Sequence, residues 1–331
     1  MQNDTEYSNM KINRKMFLLM ESFVIIQLAV VAIFLYINCL MIFTFLKKEA
    51  FRTDTRYILF SQTLFPDSGL ILITNLSVVL IYYQVAIHFV VCCLLSVIMS
   101  LLSIVSPLAL VAMCLERYVA ICMPLRHADI STPRTRNMGL LIMWLISSVI
   151  PIYVLYVSLF LIPSKFLQTY VMCSIDVLFV ESWQNLVRTT LFQMYFLVMF
   201  GIVLFTYVKI MKAARAASSE NKKSTNKGLR TVLLHAFQLL LSLLQFICPY
   251  VESSILHIDM LLYLKVRYSN FMLFILAPRC LSPLIYGLRD EKFSVVLRNY
   301  VFFGHYTFVS NLFSSIKSIS RVQTKTKPMV I

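Results

Sequence analysis

The chain contains long runs with no charged side chain, and they recur along most of its length. Residues 22–46 hold no Asp, Glu, Lys or Arg. Residues 57–115 hold none but Asp67, and with only His88 besides they are long enough for two crossings with a turn near Tyr83-Gln84. Residues 137–164, 189–208 and 231–251 are also free of such charges, and 268–288 is interrupted only by Arg279. A helix crosses about 30 Å of hydrocarbon in roughly 20 residues, so the pattern predicts seven spans. Strands of a membrane barrel would show alternating polarity in segments of about ten residues, and these runs do not alternate. Composition agrees. The chain is 59% hydrophobic and 14% charged, where a soluble domain is about 45–50% apolar and about 25% charged. A soluble enzyme, a disordered chain and a secreted disulfide scaffold are excluded. The 8 cysteines include no Cys-x-x-Cys pair, which argues against zinc ribbons and thioredoxin-like chemistry.

Seven spans put the two ends of the chain on opposite sides. The segments 47–56, 117–136, 209–230 and 289–331 carry 22 Lys and Arg, and the alternate set carries 7. Acids divide evenly, so the net charge of +15 collects on one face. Basic loops stay in the cytoplasm; residues 1–21 are therefore expected outside the cell, in a multi-pass plasma-membrane protein. Asn3-Asp4-Thr5 is a glycosylation sequon on that side, whereas Asn75-Leu76-Ser77 lies inside a span. The first span is longer than a signal-peptide core and is expected to act as its own insertion signal. Residues 22–303 form the membrane domain. Residues 212–230 read as a cytoplasmic loop, and the Ser- and Lys-rich 304–331 as a disordered cytoplasmic tail. The basic charge suits anionic inner-leaflet lipid rather than nucleic acid.

Ionisable groups at membrane depth are costly and usually functional. Asp67 lies about ten residues into the second span and Arg279 about nine into the seventh, each roughly 15 Å deep at 1.5 Å per residue. Asn38 and Ser106 fall at similar depth. Asp67 and Arg279 are expected to pair, the alternative being separate polar partners or water. At the cytoplasmic mouth, Glu116-Arg117-Tyr118 ends the third span. The acid there can hold Arg117 in a local ion pair and release it toward a partner; the plainer reading is a surface pair worth little.

The run ERYVAICMPLRH, residues 116–127, closely resembles the third-span signature of odorant receptors among the rhodopsin-like G-protein-coupled receptors. Asn38, Asp67, Trp144 and Tyr207 match family positions in order. Residues 227–235, KGLRTVLLH, resemble the opening of the sixth helix, and 282–290, SPLIYGLRD, the end of the seventh. The resemblance covers about 20–303 and is strongest to fish-type members. It implies an all-α seven-transmembrane-helix bundle with a short amphipathic eighth helix at 291–303. It also implies a disulfide between Cys92 and Cys173, with Cys93 as the adjacent rival; an oxidising exterior permits such a bond.

Departures from the family pattern carry information. Glu116 replaces the usual Asp, Ser282 the usual Asn, and Met199 the usual fifth-helix Pro. Ser106 stands where odorant receptors often have an acid. Many rhodopsin-like receptors bind sodium at the midplane Asp. Here Arg279 would occupy one wall, in a polar network of Asn38, Asp67, Ser106, Arg279 and Ser282, so a built-in guanidinium is expected to replace the ion.

By the same resemblance a small-molecule odorant binds among the outer halves of the third, fifth, sixth and seventh helices. The matching positions are Met99, Ser100, Ser103, Ile104, Leu191, Tyr195, Tyr250, Met272 and Ile275. Met99 stands where amine receptors carry an acid, which argues against a classical amine. Glu252 and His257 lie near the outer mouth and either read a polar ligand group or are merely solvated. Agonist is expected to shift the population so that Arg117 leaves Glu116 and meets Tyr207 and a heterotrimeric G protein, with Tyr118, His235 and Tyr286 at the same mouth. Stimulatory coupling that raises cyclic AMP, and an olfactory-neuron membrane, are implied by the resemblance alone. No cofactor or metal is expected.

The sequence argues against three other classes of protein. Against an enzyme, the chain lacks HExxH, GxSxG and Walker A motifs, and Asp67 has no second membrane carboxylate. A retinal protein needs a Lys in the seventh span, and Lys265 precedes it. A transporter or channel would show repeats and Gly- or Pro-broken helices, yet Gly numbers 6 in all. A rhodopsin-like receptor for a non-odorant ligand remains the nearest alternative.

Overall fold

The computed structural model describes residues 2–173, 178–179, 181–216, 233–234, 236–241, 244, 247–256, 258–281 and 293–297. Six described helices are long and apolar enough to cross a membrane: Met20–Lys47, Thr55–Tyr82, Phe89–Cys122, Pro133–Leu161, Trp183–Ala213 and Met260–Leu281. They are spans 1, 2, 3, 4, 5 and 7 of the sequence reading. The sixth, 231–251, lies partly outside the described residues. His235, Ser282 and Tyr286 fall outside them too, as do the side chains of Asn3 and Tyr250 and the tail 304–331.

Helix boundaries follow local chemistry. The first helix, α1, runs from Gln2 to Lys47, so the segment 1–21 continues the first span as helix. Neither Pro nor Gly occurs before Pro66, and nothing in that stretch breaks the backbone ladder. After the short α2 (Glu49–Thr53), Asp54 caps α3 (Thr55–Tyr82) by accepting from the Arg56 N–H. The α3 helix ends at the expected turn, where Gln84 takes a left-handed φ of 53°. Strand β1 (Ile87–His88) leads into α4 (Phe89–Cys122), and α5 (Pro124–Ile130) follows with proline in its first turn. Thr132 caps α6 (Pro133–Tyr156), whose last turn widens to π geometry over Val157–Leu161. The long α7 spans Ser182–Ala216, α8 Cys248–Leu256 and α9 Met260–Asn270, which continues through a π turn at Phe271–Leu276. Pro278 follows that turn; its ring excludes a regular carbonyl four residues back, and a widened turn accommodates it.

Helix α4 is the central post, touching α3, α6 and α7. One buried cluster joins α4, α6 and α7 through Ile104, Cys114, Ile150, Val154, Phe192, Phe196, Met199 and Ile210. A second, at the Arg117 end, joins α1, α2 and α3 to the helical residues 293–297. Its centre is Phe293, 1% exposed, against Phe51, Tyr57 and Phe60. Outward faces are apolar as well: Ile33, Leu145, Ile152 and Leu197 are each 59–60% exposed. A bundle greasy on both faces is built for lipid. Hydroxyls survive in it by bonding their own helix: Thr44 donates to the Leu40 carbonyl, Ser147 to Met143 and Ser158 to Val154.

At the Cys92 end, strand β2 (Tyr170–Val171) pairs antiparallel with β1, Ile87 opposite Val171 and His88 opposite Tyr170. The Phe89 N–H donates to the Thr169 carbonyl at 2.9 Å. This two-stranded ladder brings Cys173 to Cys92, with Cα atoms 5.4 Å apart, and the two are disulfide-bonded. Cys93 is a buried free thiol.

Candidate functional site

At the midplane, the Arg279 Nη1 donates to the Asp67 Oδ1 at 2.9 Å. The side chains are 6% and 1% exposed. Ser106 of α4, itself buried, interacts with the same carboxylate. Asn38 of α1 donates from Nδ2 to the Ser68 hydroxyl at 2.9 Å, and that hydroxyl donates to the Leu64 carbonyl. Four of the five expected midplane residues therefore meet where spans 1, 2, 3 and 7 come together. Two buried amides add further ties, one at this layer and one about two to three turns of helix away from it. Gln238, 2% exposed, donates to the Pro278 carbonyl at 2.7 Å, one residue from Arg279. Gln27 donates to the Asn75 Oδ1 at 3.0 Å, tying span 1 to span 2. Neither group is ionisable, and the signal for both in the sequence is an amide within an uncharged span.

The Arg117 end differs from expectation in one contact. Glu116 does not hold Arg117; its Oε1 lies 3.6 Å from the His127 Nε2. Neighbours on a helix are about 100° apart and do not face each other. The tight link from α4 into α5 instead turns His127 back onto Glu116. Arg117 is half-buried, and its Nε makes no hydrogen bond. Tyr118 and Tyr207 both pack on the cluster containing Ile210, and Tyr118 lies 6.1 Å from the Phe205 ring centroid. Leu125 on α5 is 94% exposed, the most exposed large apolar side chain described. An apolar residue between Pro124 and Arg126 was its mark in the sequence.

The expected ligand positions fall into two groups. Ile104 is buried in the cluster of α4, α6 and α7, and Leu191 and Tyr195 pack against it. Ser100 and Ser103 donate to the carbonyls of Ser96 and Ser100, so their oxygens face the site as acceptors only. Tyr195 donates to the Ile146 carbonyl at 3.0 Å. Met99 is half-buried. Met272 belongs to a separate cluster with Val31, Ile71, Leu276 and Cys280. Ile275 lines a crevice with Val31, Leu70, Thr74 and Arg279. Both thus sit on the side of spans 1 and 2. Glu252 accepts from the Asn270 Nδ2 at 2.9 Å. Among the described residues no group of three or more His, Cys, Asp or Glu could hold a metal ion.

A seven-helix bundle with a buried acid–guanidinium pair at its centre and an arginine at one mouth is a receptor architecture. The chain belongs to the rhodopsin family of 7 transmembrane receptors, whose family model matches residues 37–286. It is 52% identical over 289 residues to Odorant receptor 131-2 of Danio rerio, a match covering 87% of this chain and 89% of that protein. The architecture is that of a multi-pass membrane receptor, not an enzyme.

Proposed function

We propose that the chain is an odorant receptor: it binds a small molecule among the outer halves of spans 3, 5, 6 and 7 and activates a heterotrimeric G protein, raising cyclic AMP. The observation that carries this reading is the 52% identity, over nearly the whole chain, to a protein named as an odorant receptor. The Arg117 end supports it. An arginine held half-buried, its Nε making no hydrogen bond, is placed to meet a partner's carbonyls, and Leu125 offers an exposed apolar knob on α5.

In this reading residues 1–21 are extracellular and 304–331 cytoplasmic, Asn3 carries a glycan, and 291–303 lies along the membrane. Ligand contacts are Met99, Ser100, Ser103, Ile104, Leu191, Tyr195 and Tyr250, with Met272 and Ile275 contributing from the side that faces spans 1 and 2. Glu116, Arg117, Tyr118, Tyr207, His235 and Tyr286 form the switch, and Ser282 joins the midplane layer. Basic loops at 209–230 and 289–298 rest on anionic lipid. Agonist stabilises the state in which span 6 swings outward and Arg117 engages the G protein.

The test is an odorant panel on cells expressing the chain with a cyclic AMP reporter. The reading expects at least one dose-dependent response that Arg117→Ala abolishes at equal surface expression. A response that survives Arg117→Ala, or a ligand-independent ion current from the purified protein, contradicts it.

A further inference from the structure

Helices α3 and α4 run antiparallel and pack on each other along the bundle. Ser106 of α4 meets the Asp67 carboxylate of α3, and that contact fixes their register. Arg56 precedes Asp67 by eleven residues, and Arg117 follows Ser106 by eleven. Eleven residues make three turns, a rise of roughly 16 Å that returns to the same helix face within about 20°. Arg56 and Arg117 therefore stand at one level, on facing sides of two neighbouring helices. Helix α5 leads to the same placement independently. His127 meets Glu116, the residue before Arg117, and Ser131 meets Thr55, the residue before Arg56. The Ser131 N–H donates to the His127 carbonyl at 2.8 Å, so one turn of chain spans both contacts.

The two guanidinium groups share an environment. Both arginines are half-buried, and the Nε of each is enclosed without a hydrogen bond. The acids nearest in sequence are turned elsewhere. Asp54 accepts from the Arg56 backbone N–H at 2.9 Å as a helix cap, and Glu116 lies against His127. Among the described residues neither arginine forms an ion pair. Buried donors in folded proteins almost always find an acceptor, and two like charges in a partly buried place repel. Such a pair is completed by an incoming acceptor that carries negative charge.

We propose that Arg56 and Arg117 together clamp a carboxylate of the G-protein α subunit, with Arg56 as a second cation outside the Glu116-Arg117-Tyr118 motif. This rests on the reading in which a G protein docks at the Arg117 end, and it adds the chemistry of the partner. A guanidinium fork matches a carboxylate with two parallel hydrogen bonds, and a lysine supplies the charge without the fork. The clamp faces the way Asp67 and Ser106 face, and both of those are buried inside the bundle. A segment entering between the helices reaches that face, whereas a lipid headgroup outside the bundle does not.

The experiment uses the purified full chain in phosphatidylcholine nanodiscs with a purified stimulatory G protein and the strongest odorant of the reporter panel. Nucleotide exchange is followed against G-protein concentration. Arg56→Gln is expected to raise the concentration for half-maximal exchange about tenfold, as loss of a charge-assisted hydrogen bond implies. Its maximal rate and odorant affinity stay near those of the wild type, and Arg56→Lys recovers part of the loss. Two competitor peptides identify the group: the last 20 or so residues of the α subunit, and the same peptide with every carboxyl replaced by carboxamide. The acid peptide inhibits the wild type at concentrations about tenfold below the amide, and Arg56→Gln removes that difference. Thermal melting of each variant confirms folding. Exchange unchanged by Arg56→Gln, or acid and amide peptides of equal potency on the wild type, overturn the proposal while leaving the receptor reading intact. It is also overturned if the Arg56→Gln defect appears only after phosphatidylserine is added, which marks a lipid site, or if inorganic phosphate alone reproduces the inhibition by the acid peptide, which marks a site for small anions. Absence of exchange by the wild type with every odorant counts against both.

Discussion

Arg279 and Asp67 stand 212 residues apart in sequence and 2.9 Å apart in space, at the centre of the bundle. Neither is tolerable there alone. Their pairing fixes span 7 against span 2, and the hydrogen bonds of Asn38 to Ser68 and of Gln238 to the Pro278 carbonyl attach spans 1 and 6 to the same layer.

Removing one partner of a buried pair leaves an uncompensated charge and costs about 3–5 kcal/mol, whereas replacing both by apolar groups is often neutral. Asp67→Ala and Arg279→Ala are each expected to lower the melting temperature of the solubilised receptor sharply. Asp67→Leu combined with Arg279→Met recovers most of that loss. A double variant as unstable as the sum of the singles shows the two residues act independently.

A guanidinium already occupies the position beside Asp67, so sodium ions have no site to fill there. Agonist affinity is expected to be the same in sodium chloride as in choline chloride. A several-fold difference between the two salts contradicts the arrangement.

The contact between Glu116 and His127 ties α5 to the end of α4. Glu116→Gln and His127→Ala are both expected to raise ligand-independent nucleotide exchange, and the double variant to raise it no further than either alone. Additive effects would mean that the two residues do not act through each other.

The disulfide closes 81 residues of sequence separation between Cys92 and Cys173. Loss of such a bond costs about 2–5 kcal/mol. Cys92→Ser and Cys173→Ser should destabilise equally and fail to add when combined. Cys93→Ala, at a buried free thiol, is expected to cost about 1 kcal/mol. Equal losses at Cys93 and Cys92 contradict the pairing.

How much of this was legible depended on the kind of signal. Spans are written in the spacing of charges, which is why the turn at Tyr83-Gln84 could be placed without coordinates. Asp67 and Arg279 stood out because each lies about the same distance from a basic loop. Other features needed three dimensions. The sequence offers Glu116 and Arg117 as neighbours, but helical geometry points them apart and only the return of α5 brings in His127. A charge can mark the end of a span or stand inside one, and Arg188 does the second because α7 starts at Ser182. Met272 and Ile275 sit on the seventh span as the family pattern asks. Packing turns them toward Val31 and Ile71, a rotation no linear pattern records.

In the proposed function this bundle relays ligand binding at one end to a G protein at the other through Arg117. The direct measurement is agonist-stimulated nucleotide exchange on a purified G protein by the full chain in nanodiscs, beside Arg117→Ala. Exchange in the wild type is expected to rise with agonist, and exchange in the variant to stay at background with agonist binding retained. Agonist binding without exchange in the wild type, or equal exchange in both proteins, would contradict it.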